Sequence, residues 1–203
     1  MIPEPAETTR PELKPIGSDS LVVKRLLEKF QRQTASKILD LGPACQENID
    51  FFARRTKQFY LCDLFSRLNQ NSAKKKSSFD KIWKQLDYPL GSFDCINLWD
   101  LLDHLNDTEA LKITQRCYKM TKPSGLILIM AIEKALHPHY ANLFAYGRDN
   151  RLIWRTLPNV RPSSYYRHNR ALISLLKPFK PIRSFRYHSG VREMLFQRSN
   201  PFK

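Results

Sequence analysis

The feature that most constrains the fold of this chain is the alternation of short apolar runs with helical segments. Residues 37–41 form an apolar run that ends in a Gly-Pro turn, and residues 47–55 resume the apolar spacing of a helix. Further runs at residues 58–62, 93–98 and 126–131 predict three more strands. Strands that alternate with helices pair in parallel, so the pattern predicts an α/β protein with a parallel sheet.

Capping residues mark the starts of two further helices. A Ser-Asp-Ser sequence at residues 18–20 precedes apolar residues at helical spacing and predicts a first helix over residues 19–33. Asn106 and Asp107 open another helix, which is expected to run to Met120. These helices would cover the faces of the parallel sheet.

The two ends of the chain are expected to differ in order. Four prolines fall within the first 15 residues, so residues 1–17 are expected to form a flexible tail and residues 18–203 a single domain. Residues 182–188 and 191–197 flank a Ser-Gly turn, which is typical of a β-hairpin. The sheet is therefore expected to end in an antiparallel pair.

Composition argues against a membrane protein and a metalloprotein. The longest apolar run, residues 126–132, is far shorter than the about 20 residues that a membrane-spanning helix needs. The N-terminus, with its prolines and glutamates, fits neither a signal peptide nor a transit peptide, so a cytoplasmic location is expected. A His-Pro-His sequence at residues 137–139 lacks a third ligand at a useful spacing, and no metal is expected.

Positive charge is concentrated in the last third of the chain. Residues 134–203 hold 14 Lys and Arg against two acidic residues, which gives +12 of the total formal charge of +15. A surface of this kind favours an anionic partner, such as RNA, a phosphorylated metabolite or another acidic small molecule.

Residues 133–167 are too long for an ordinary connection and show no clear period. They interleave aromatic residues with arginines, a mixture that can stack on bases and hold phosphates. The alternative is a lid whose aromatic residues pack on the sheet while its arginines face water. The residues expected to form this lid and face an acceptor are Tyr146, Arg148, Arg151, Trp154, Arg161 and Tyr165.

Acidic residues and a glycine follow the first two predicted strands of the parallel sheet. Asp40 and Gly42 end the first strand, and Asp63 ends the second, 21 residues after Gly42. Ligands of open parallel sheets bind beyond the carboxyl ends of the strands. An acidic residue there can accept both ribose hydroxyls of an adenosine, and a glycine lets the backbone approach the ligand closely.

Four successive segments resemble the motifs of class I S-adenosylmethionine-dependent methyltransferases. They are ILDLGPACQENIDFF, FYLCDL, KQLDYPLGSFDCINLWDLLDHL and KMTKPSGLILIMA, which together cover roughly residues 36–132. The terminal segment IRSFRYHSGVREMLFQ is similar to the antiparallel pair that ends the sheet of that family. The resemblance implies S-adenosylmethionine as cofactor. It also implies a Rossmann-like, doubly wound sheet of seven mostly parallel strands with a C-terminal antiparallel β-hairpin.

The same resemblance assigns roles to residues at the strand ends. Asp40 and Gly42 would line the methionine end of the cofactor, Asp63 would bind the ribose, and Asp87 with Tyr88 would flank the adenine. The full set of implied cofactor-binding residues is Asp40, Gly42, Pro43, Ala44, Asp63, Leu64, Asp87, Tyr88, Asn97 and Trp99.

The first loop departs from the family pattern, and this leaves two hypotheses open. Ala44 and Gln46 stand where the family usually has further glycines, and Pro43 removes an amide donor. The first hypothesis is an enzyme that methylates an anionic or nucleic-acid acceptor. The alternative is an inactive methyltransferase-like module that binds RNA or a partner protein through its basic C-terminal third. A nicotinamide-dependent oxidoreductase is disfavoured because the loop lacks GxGxxG.

Methyl transfer from a sulfonium is an in-line displacement, for which positioning and desolvation supply much of the acceleration. A general base is needed only for a protonated amine or a hydroxyl acceptor. The candidates for this general base, chosen by their location only, are Asp100, Asp103 and His104. The alternative for Asp103 and His104 is that they begin the following helix and make local hydrogen bonds.

Overall fold

The computed structural model describes residues 14–31, 36–66, 68, 86–133, 141–147, 149–157 and 165–199. In chain order, the helices and strands are β1 (Lys14–Asp19), α1 (Leu21–Gln31), β2 (Lys37–Asp40), α2 (Gln46–Ala53), β3 (Gln58–Leu61), β4 (Phe93–Trp99), α3 (Asp107–Met120), β5 (Thr121–Ile132), β6 (Ala141–Tyr146), β7 (Arg151–Leu157), α4 (Asn169–Leu175), β8 (Lys180–Arg186) and β9 (Val191–Gln197). A short 3₁₀ helix, Leu101–His104, follows β4.

The main sheet has six strands in the order β3-β2-β4-β5-β9-β8. The first four pair in parallel, β9 is antiparallel to β5, and β8 is antiparallel to β9. The register places Asp40 of β2 beside Asn97 of β4. Two residues that the sequence assigns to the cofactor site are thus neighbours at the carboxyl edge of the sheet.

The α/β Rossmann-like architecture agrees with the sequence-based prediction, but the strand count does not. Seven mostly parallel strands were expected, whereas the described residues place six in a mixed main sheet. Three other strands form a separate antiparallel sheet in the order β1-β7-β6. They stack on the main sheet because β6 packs Phe144 and Tyr146 into the same apolar core as Trp99 of β4.

This second sheet also corrects two details of the sequence reading. Residues 14–17, assigned above to a flexible tail, belong to β1, because their backbone pairs with β7 and Lys14 lies opposite Trp154. The aperiodic stretch 133–167 contains the hairpin of β6 and β7. Every residue of β6 is buried, so the polar-apolar alternation of a half-exposed strand is missing from its sequence. Residues 1–13 lie outside the described residues.

Two apolar cores lie on opposite faces of the main sheet. One packs α3 and α4 against β4 and β5, and the other packs α1, α2 and the second sheet. Helix α1 begins after Ser20, whose Oγ accepts from the Val23 amide at 2.8 Å. Helix α3 begins after Asn106, as predicted, and a reciprocal capping box joins Asn106 and Glu109.

Candidate active site

Asp40 is the centre of a hydrogen-bonded cluster at the carboxyl edge of the main sheet. It is the last residue of β2, and its side chain is buried. Its Oδ1 accepts from the Gly42 amide and from the Trp99 indole, each at 2.8 Å. Its Oδ2 accepts from the Asn97 side-chain amide at 3.2 Å. Four of the cofactor-binding residues named from the sequence therefore meet at one carboxylate.

Burial raises the pKa of Asp40 to about 6. The hydrogen bonds from Trp99, Gly42 and Asn97 oppose part of this rise, and the nearby charge of Asp63 adds to it. The carboxyl group therefore changes its charge close to neutral pH. A positively charged ligand beside Asp40 would stabilise its ionised form.

The indole of Trp99 covers Gly42. A Cβ atom on Gly42 would lie 2.3 Å from Trp99 Cδ1 and 2.7 Å from Trp99 Nε1, so this contact requires glycine. Trp99 adopts a positive φ of 51°, which is rare for a bulky residue. Its ring lies parallel to Phe144 of β6, with an interplanar angle of 8°. The loop after β2 and the second sheet thus contact each other through Trp99.

Asp63 follows β3 and joins the same loop from the other side. Its Oδ2 accepts from the Ala44 amide at 3.3 Å, and its Oδ1 accepts from the Ser66 amide at 2.9 Å. Asp63 stays partly exposed, whereas Pro43 and Leu64 are buried. The carboxylate is therefore within reach of a ligand lying over the loop.

The loop fits an adenosine better than its missing glycines suggest. Gln46 is exposed, and its Nε2 donates to Asp50 Oδ1 at 2.9 Å along α2. The atoms nearest to Gly42 belong to Trp99 and Asp40, not to Gln46. The residues at the ribose end fit the cofactor that the resemblance implies. At the methionine end, the glycine surface is present, and the Trp99 indole lies on it.

Asp87 and Tyr88 lie apart from the Asp40 cluster. Asp87 is exposed and pairs with Arg116 of α3 at 3.0 Å. The Tyr88 ring packs on Tyr60 of β3 and on Phe93. The structure therefore gives these two residues packing and ion-pair partners, and their contact with an adenine stays a prediction.

Asp100 lies directly after Trp99 and is buried beside the second sheet. Its Oδ2 accepts from the Asn142 side-chain amide of β6 at 2.9 Å and lies 3.4 Å from His104 Nε2. Within the described part of the chain, Asp100 Oδ1 and Asn142 Oδ1 are buried and have no hydrogen-bond partner. A buried acceptor without a donor costs about 1–3 kcal/mol, so this pair needs a physical account.

His104 and Asp103 belong to the 3₁₀ helix after β4. The His104 ring packs edge-on against Phe65, with ring centroids 5.4 Å apart. The Asp103 amide donates to the Asp100 carbonyl at 3.0 Å, which is the kind of local hydrogen bond considered above. Among the candidate general bases, the side chains of Asp100 and His104 approach each other.

The lid residues named from the sequence divide between buried and exposed positions. Tyr146 is buried, and the half-buried Trp154 ring stacks on Phe144. Arg151 and Tyr165 are exposed. Arg148 and Arg161 lie outside the described residues. In the described part, Tyr146 and Trp154 pack against neighbouring aromatic rings, and the role of this segment as a lid stays a prediction.

Arg167 is a structural residue that the sequence did not single out. Its guanidinium is buried and donates to the carbonyls of Leu102 and Leu105 and to Asp107. It therefore ties the chain before α4 to the segment that carries Asp100. Its position in a long basic segment gave no signal of this role.

Glu193 of β9 forms a second buried polar centre. Its carboxylate accepts from the hydroxyls of Ser20, Tyr146 and Tyr187. Burial raises the pKa of Glu193, and the three hydroxyls lower it in part. The carboxylate thereby joins the start of α1, the second sheet and the terminal hairpin. Asn142 and Glu193 were both missed from the sequence because most of their partners, including Asp100, Ser20 and Tyr146, are distant along the chain.

Two cavities lie near these clusters. A cavity of about 470 Å³ opens beside α2 and is lined by Phe51, Arg54 and Tyr146 among others. A smaller one, of about 120 Å³, lies at the carboxyl end of β5, and its lining includes Arg167, His168 and Arg192. The smaller cavity is at the edge of the sheet where ligands of this architecture bind.

Neither a metal centre nor a membrane span is found in the described residues. They contain no group of three or more His, Cys, Asp or Glu that could hold a metal ion. His137 and His139 lie outside them. No helix of the described part is long and apolar enough to cross a bilayer.

The six-stranded mixed sheet and the acidic-glycine cluster at its carboxyl edge define a class I, Rossmann-like methyltransferase fold. Residues 19–176 match the family model described as a methyltransferase domain. The chain belongs to this family, whose cofactor is S-adenosylmethionine.

One curated relative and several solved structures resemble the chain. The relative is a phosphoethanolamine N-methyltransferase of Plasmodium falciparum (isolate 3D7), 30% identical over an alignment of 115 residues. The match covers 52% of this chain and 42% of that protein. The chain thus matches less than half of the relative's length. It covers 78% of the Burkholderia thailandensis 1,6-didemethyltoxoflavin-N1-methyltransferase and 97% of the N-methyltransferase NodS of Bradyrhizobium japonicum WM9. The Burkholderia enzyme matches 89% of this chain with a TM-score of 0.52 and 15% identity. NodS matches 88% of this chain with a TM-score of 0.51 and 14% identity. These values show a shared fold.

Proposed function

We propose that this chain transfers a methyl group from S-adenosylmethionine to a small anionic acceptor. The observation that carries the proposal is the convergence of Gly42, Asn97 and Trp99 on the Asp40 carboxylate, with Asp63 held against the same loop through Ala44. Asp63 is within reach of a ribose lying over this loop, and Asp40 lies at the methionine end, where the Trp99 indole covers Gly42.

Each residue of the cluster has a separate task in this proposal. The partly exposed Asp63 carboxylate accepts the ribose hydroxyls, and Asp87 with Tyr88 lies on the adenine side. Asp40 supplies negative charge beside the amino-acid part of the cofactor, where a pKa of about 6 allows it to ionise at neutral pH. Bound S-adenosylmethionine supplies an electrophilic methyl group on a sulfonium, and the protein positions it and excludes water.

Charge and position support an anionic acceptor. The basic last third of the chain contributes His168 and Arg192 to the cavity at the carboxyl end of β5, which is also lined by Glu133 and by Arg167, whose guanidinium is bonded to Leu102, Leu105 and Asp107. The Plasmodium relative is named for phosphoethanolamine, a small amine that carries a phosphate. RNA is the second acceptor class for the same fold, because bases could stack on the exposed aromatic residues of the lid.

We also propose that residues 14–203 act as a single methyltransferase-like domain, which includes β1, and that residues 133–167 form its lid. Within this lid, Tyr146 and Trp154 support the packing, and Arg148, Arg151, Arg161 and Tyr165 would face the acceptor. Asp100 and His104 are the candidate residues for accepting a proton from it. The inactive-module alternative has no support from the family match or from the relatives.

Calorimetric titration with S-adenosylmethionine and S-adenosylhomocysteine tests the proposal. Binding in the micromolar range is expected, with a loss of about tenfold or more in Asp63→Ala. Asp50→Ala is the matched control, since it removes an exposed carboxylate of α2 that bonds only Gln46 among the described contacts. Absence of binding to the unchanged protein would contradict the proposed activity.

The acceptor class is tested separately. Methyl transfer from isotope-labelled cofactor is measured with phosphoethanolamine and with a single-stranded RNA of mixed sequence. Methylation of the RNA alone, with binding that weakens steeply as salt rises, would exclude the small-molecule acceptor in favour of a nucleic-acid substrate.

A further inference from the structure

Two oxygen atoms at the junction of the two sheets lack a hydrogen-bond donor. They are Asp100 Oδ1 and Asn142 Oδ1, and both are buried and unpartnered within the described residues. The other atoms of the same two groups are bonded to each other, since Asn142 Nδ2 donates to Asp100 Oδ2 at 2.9 Å. The two free oxygens therefore belong to one connected pair of side chains.

The missing partner of this pair is a donor, and a cationic one fits best. Asp100 is acidic, and both free atoms can only accept hydrogen bonds while the carboxylate is ionised. The neighbouring cation of the chain is committed elsewhere, because the Arg167 guanidinium bonds the carbonyls of Leu102 and Leu105 and the carboxylate of Asp107. His104 approaches Asp100 at Oδ2, not at Oδ1.

The pair also lies next to the Asp40 cluster that we propose binds the cofactor. Asp100 follows Trp99, whose indole bonds Asp40 and covers Gly42. Asn142 comes from β6, the strand that stacks Phe144 on the same indole. The free oxygens are thus placed between the cofactor-binding cluster and the second sheet.

We infer that Asp100 and Asn142 bind the amino group of the methyl acceptor, so that the enzyme methylates nitrogen. An ammonium group has three N–H donors and positive charge, which match two acceptor oxygens and one carboxylate. This inference rests on the proposed function and specifies the reacting atom of its substrate.

The methyl-transfer step balances with these groups. The ammonium first loses a proton to the Asp100–His104 pair, which leaves a lone pair on the nitrogen. That lone pair attacks the methyl carbon, so that the N–C bond forms as the S–C bond breaks. The products are the methylated ammonium and S-adenosylhomocysteine, and the proton then passes from the pair to solvent.

Calorimetry on the full chain saturated with S-adenosylhomocysteine tests the inference. The probes are phosphoethanolamine and ethylene glycol phosphate, which differ in an amine replaced by a hydroxyl. The unchanged protein is expected to bind the amine about tenfold more tightly. Asp100→Asn and Asn142→Leu are expected to reduce this preference to near one while the Kd of S-adenosylhomocysteine changes less than about twofold.

Asn48→Leu is the matched control for loosening of the second sheet. Asn48 donates to the Phe144 carbonyl and accepts from the Tyr146 amide, so it holds β6 without contacting Asp100. This variant is expected to keep the preference for the amine.

Each result decides between named possibilities. Equal or absent binding of the two probes to the unchanged protein overturns the inference without any variant. The inference is also overturned if Asp100→Asn and Asn142→Leu weaken the binding of S-adenosylhomocysteine as much as the binding of phosphoethanolamine. The pair would then hold the cofactor's own amino group. Failure of the unchanged protein to bind S-adenosylhomocysteine contradicts the proposed function itself.

Discussion

The Trp99 indole lies on Gly42 so closely that a single added carbon would collide with it. A Cβ atom at residue 42 would be 2.3 Å from Trp99 Cδ1. The same indole donates to Asp40 and stacks on Phe144. One aromatic side chain therefore connects the loop that follows β2 with the strand β6 of the second sheet.

We predict that Gly42→Ala lowers the free energy of unfolding by about 1–3 kcal/mol and weakens cofactor binding, because the new methyl group displaces Trp99. Urea unfolding and calorimetry measure the two effects. Trp99→Phe shortens the ring and should rescue part of the loss in the double variant. Additive effects of the two substitutions would contradict a direct contact.

The stability of the protein is expected to depend on the charge of Asp40. Its folded-state pKa of about 6 lies above the ordinary value, so its contribution to stability is present at low pH. That contribution is lost as the pH rises from about 4 through about 6, and it amounts to about 3 kcal/mol. Asp40→Asn should lack this dependence, which denaturant unfolding at pH 4.5 and 7.5 would measure.

The control for this titration is Asp50→Asn, at an exposed carboxylate of α2. This variant removes a carboxyl group elsewhere and keeps Asp40, so it should retain the loss of stability between the two pH values. A constant difference in stability between Asp40→Asn and the unchanged protein would show that the Asp40 carboxyl does not titrate in this range.

Tyr146→Phe and Tyr187→Phe remove different hydroxyls from Glu193. Each is expected to lower the free energy of unfolding by about 1 kcal/mol, because each leaves the buried carboxylate with one donor fewer. Since Tyr146 belongs to β6, only Tyr146→Phe should speed hydrogen exchange of residues 141–157. Equal exchange in both variants would argue against Glu193 as an anchor of the second sheet.

Arg167→Lys should destabilise the protein by about 2–4 kcal/mol, because one ammonium cannot replace a planar guanidinium that bonds Leu102, Leu105 and Asp107 together. Thermal unfolding measures the loss. Arg170→Lys, at an exposed position of α4, is the matched control and should have little effect. A similar melting temperature for both variants would refute the structural role of Arg167.

Local patterns in the sequence were sufficient for the parallel half of the sheet. The apolar run before Asp40, the capping residue Asn106 and the short turn before Val191 each act within a few residues of the chain. These patterns reflect local backbone geometry and periodic burial, both of which depend on residues that are close together in the sequence. The pairing and register of β2 and β4 came from the structure, which places Asp40 beside Asn97.

Contacts between distant segments were decided only by the tertiary structure. Asn142 meets Asp100 across 42 residues, and Ser20 meets Glu193 across 173. No local pattern marks such a pair, because an isolated Asn or Glu has the same sequence signature on a surface as in a core. The strand β6 was also not predicted, because both of its faces are buried and its sequence lacks the alternation of polar and apolar residues. The sequence by itself thus determined the α/β class and the acidic residues and glycine at the strand ends, whereas long-range packing decided which polar groups are buried between the two sheets.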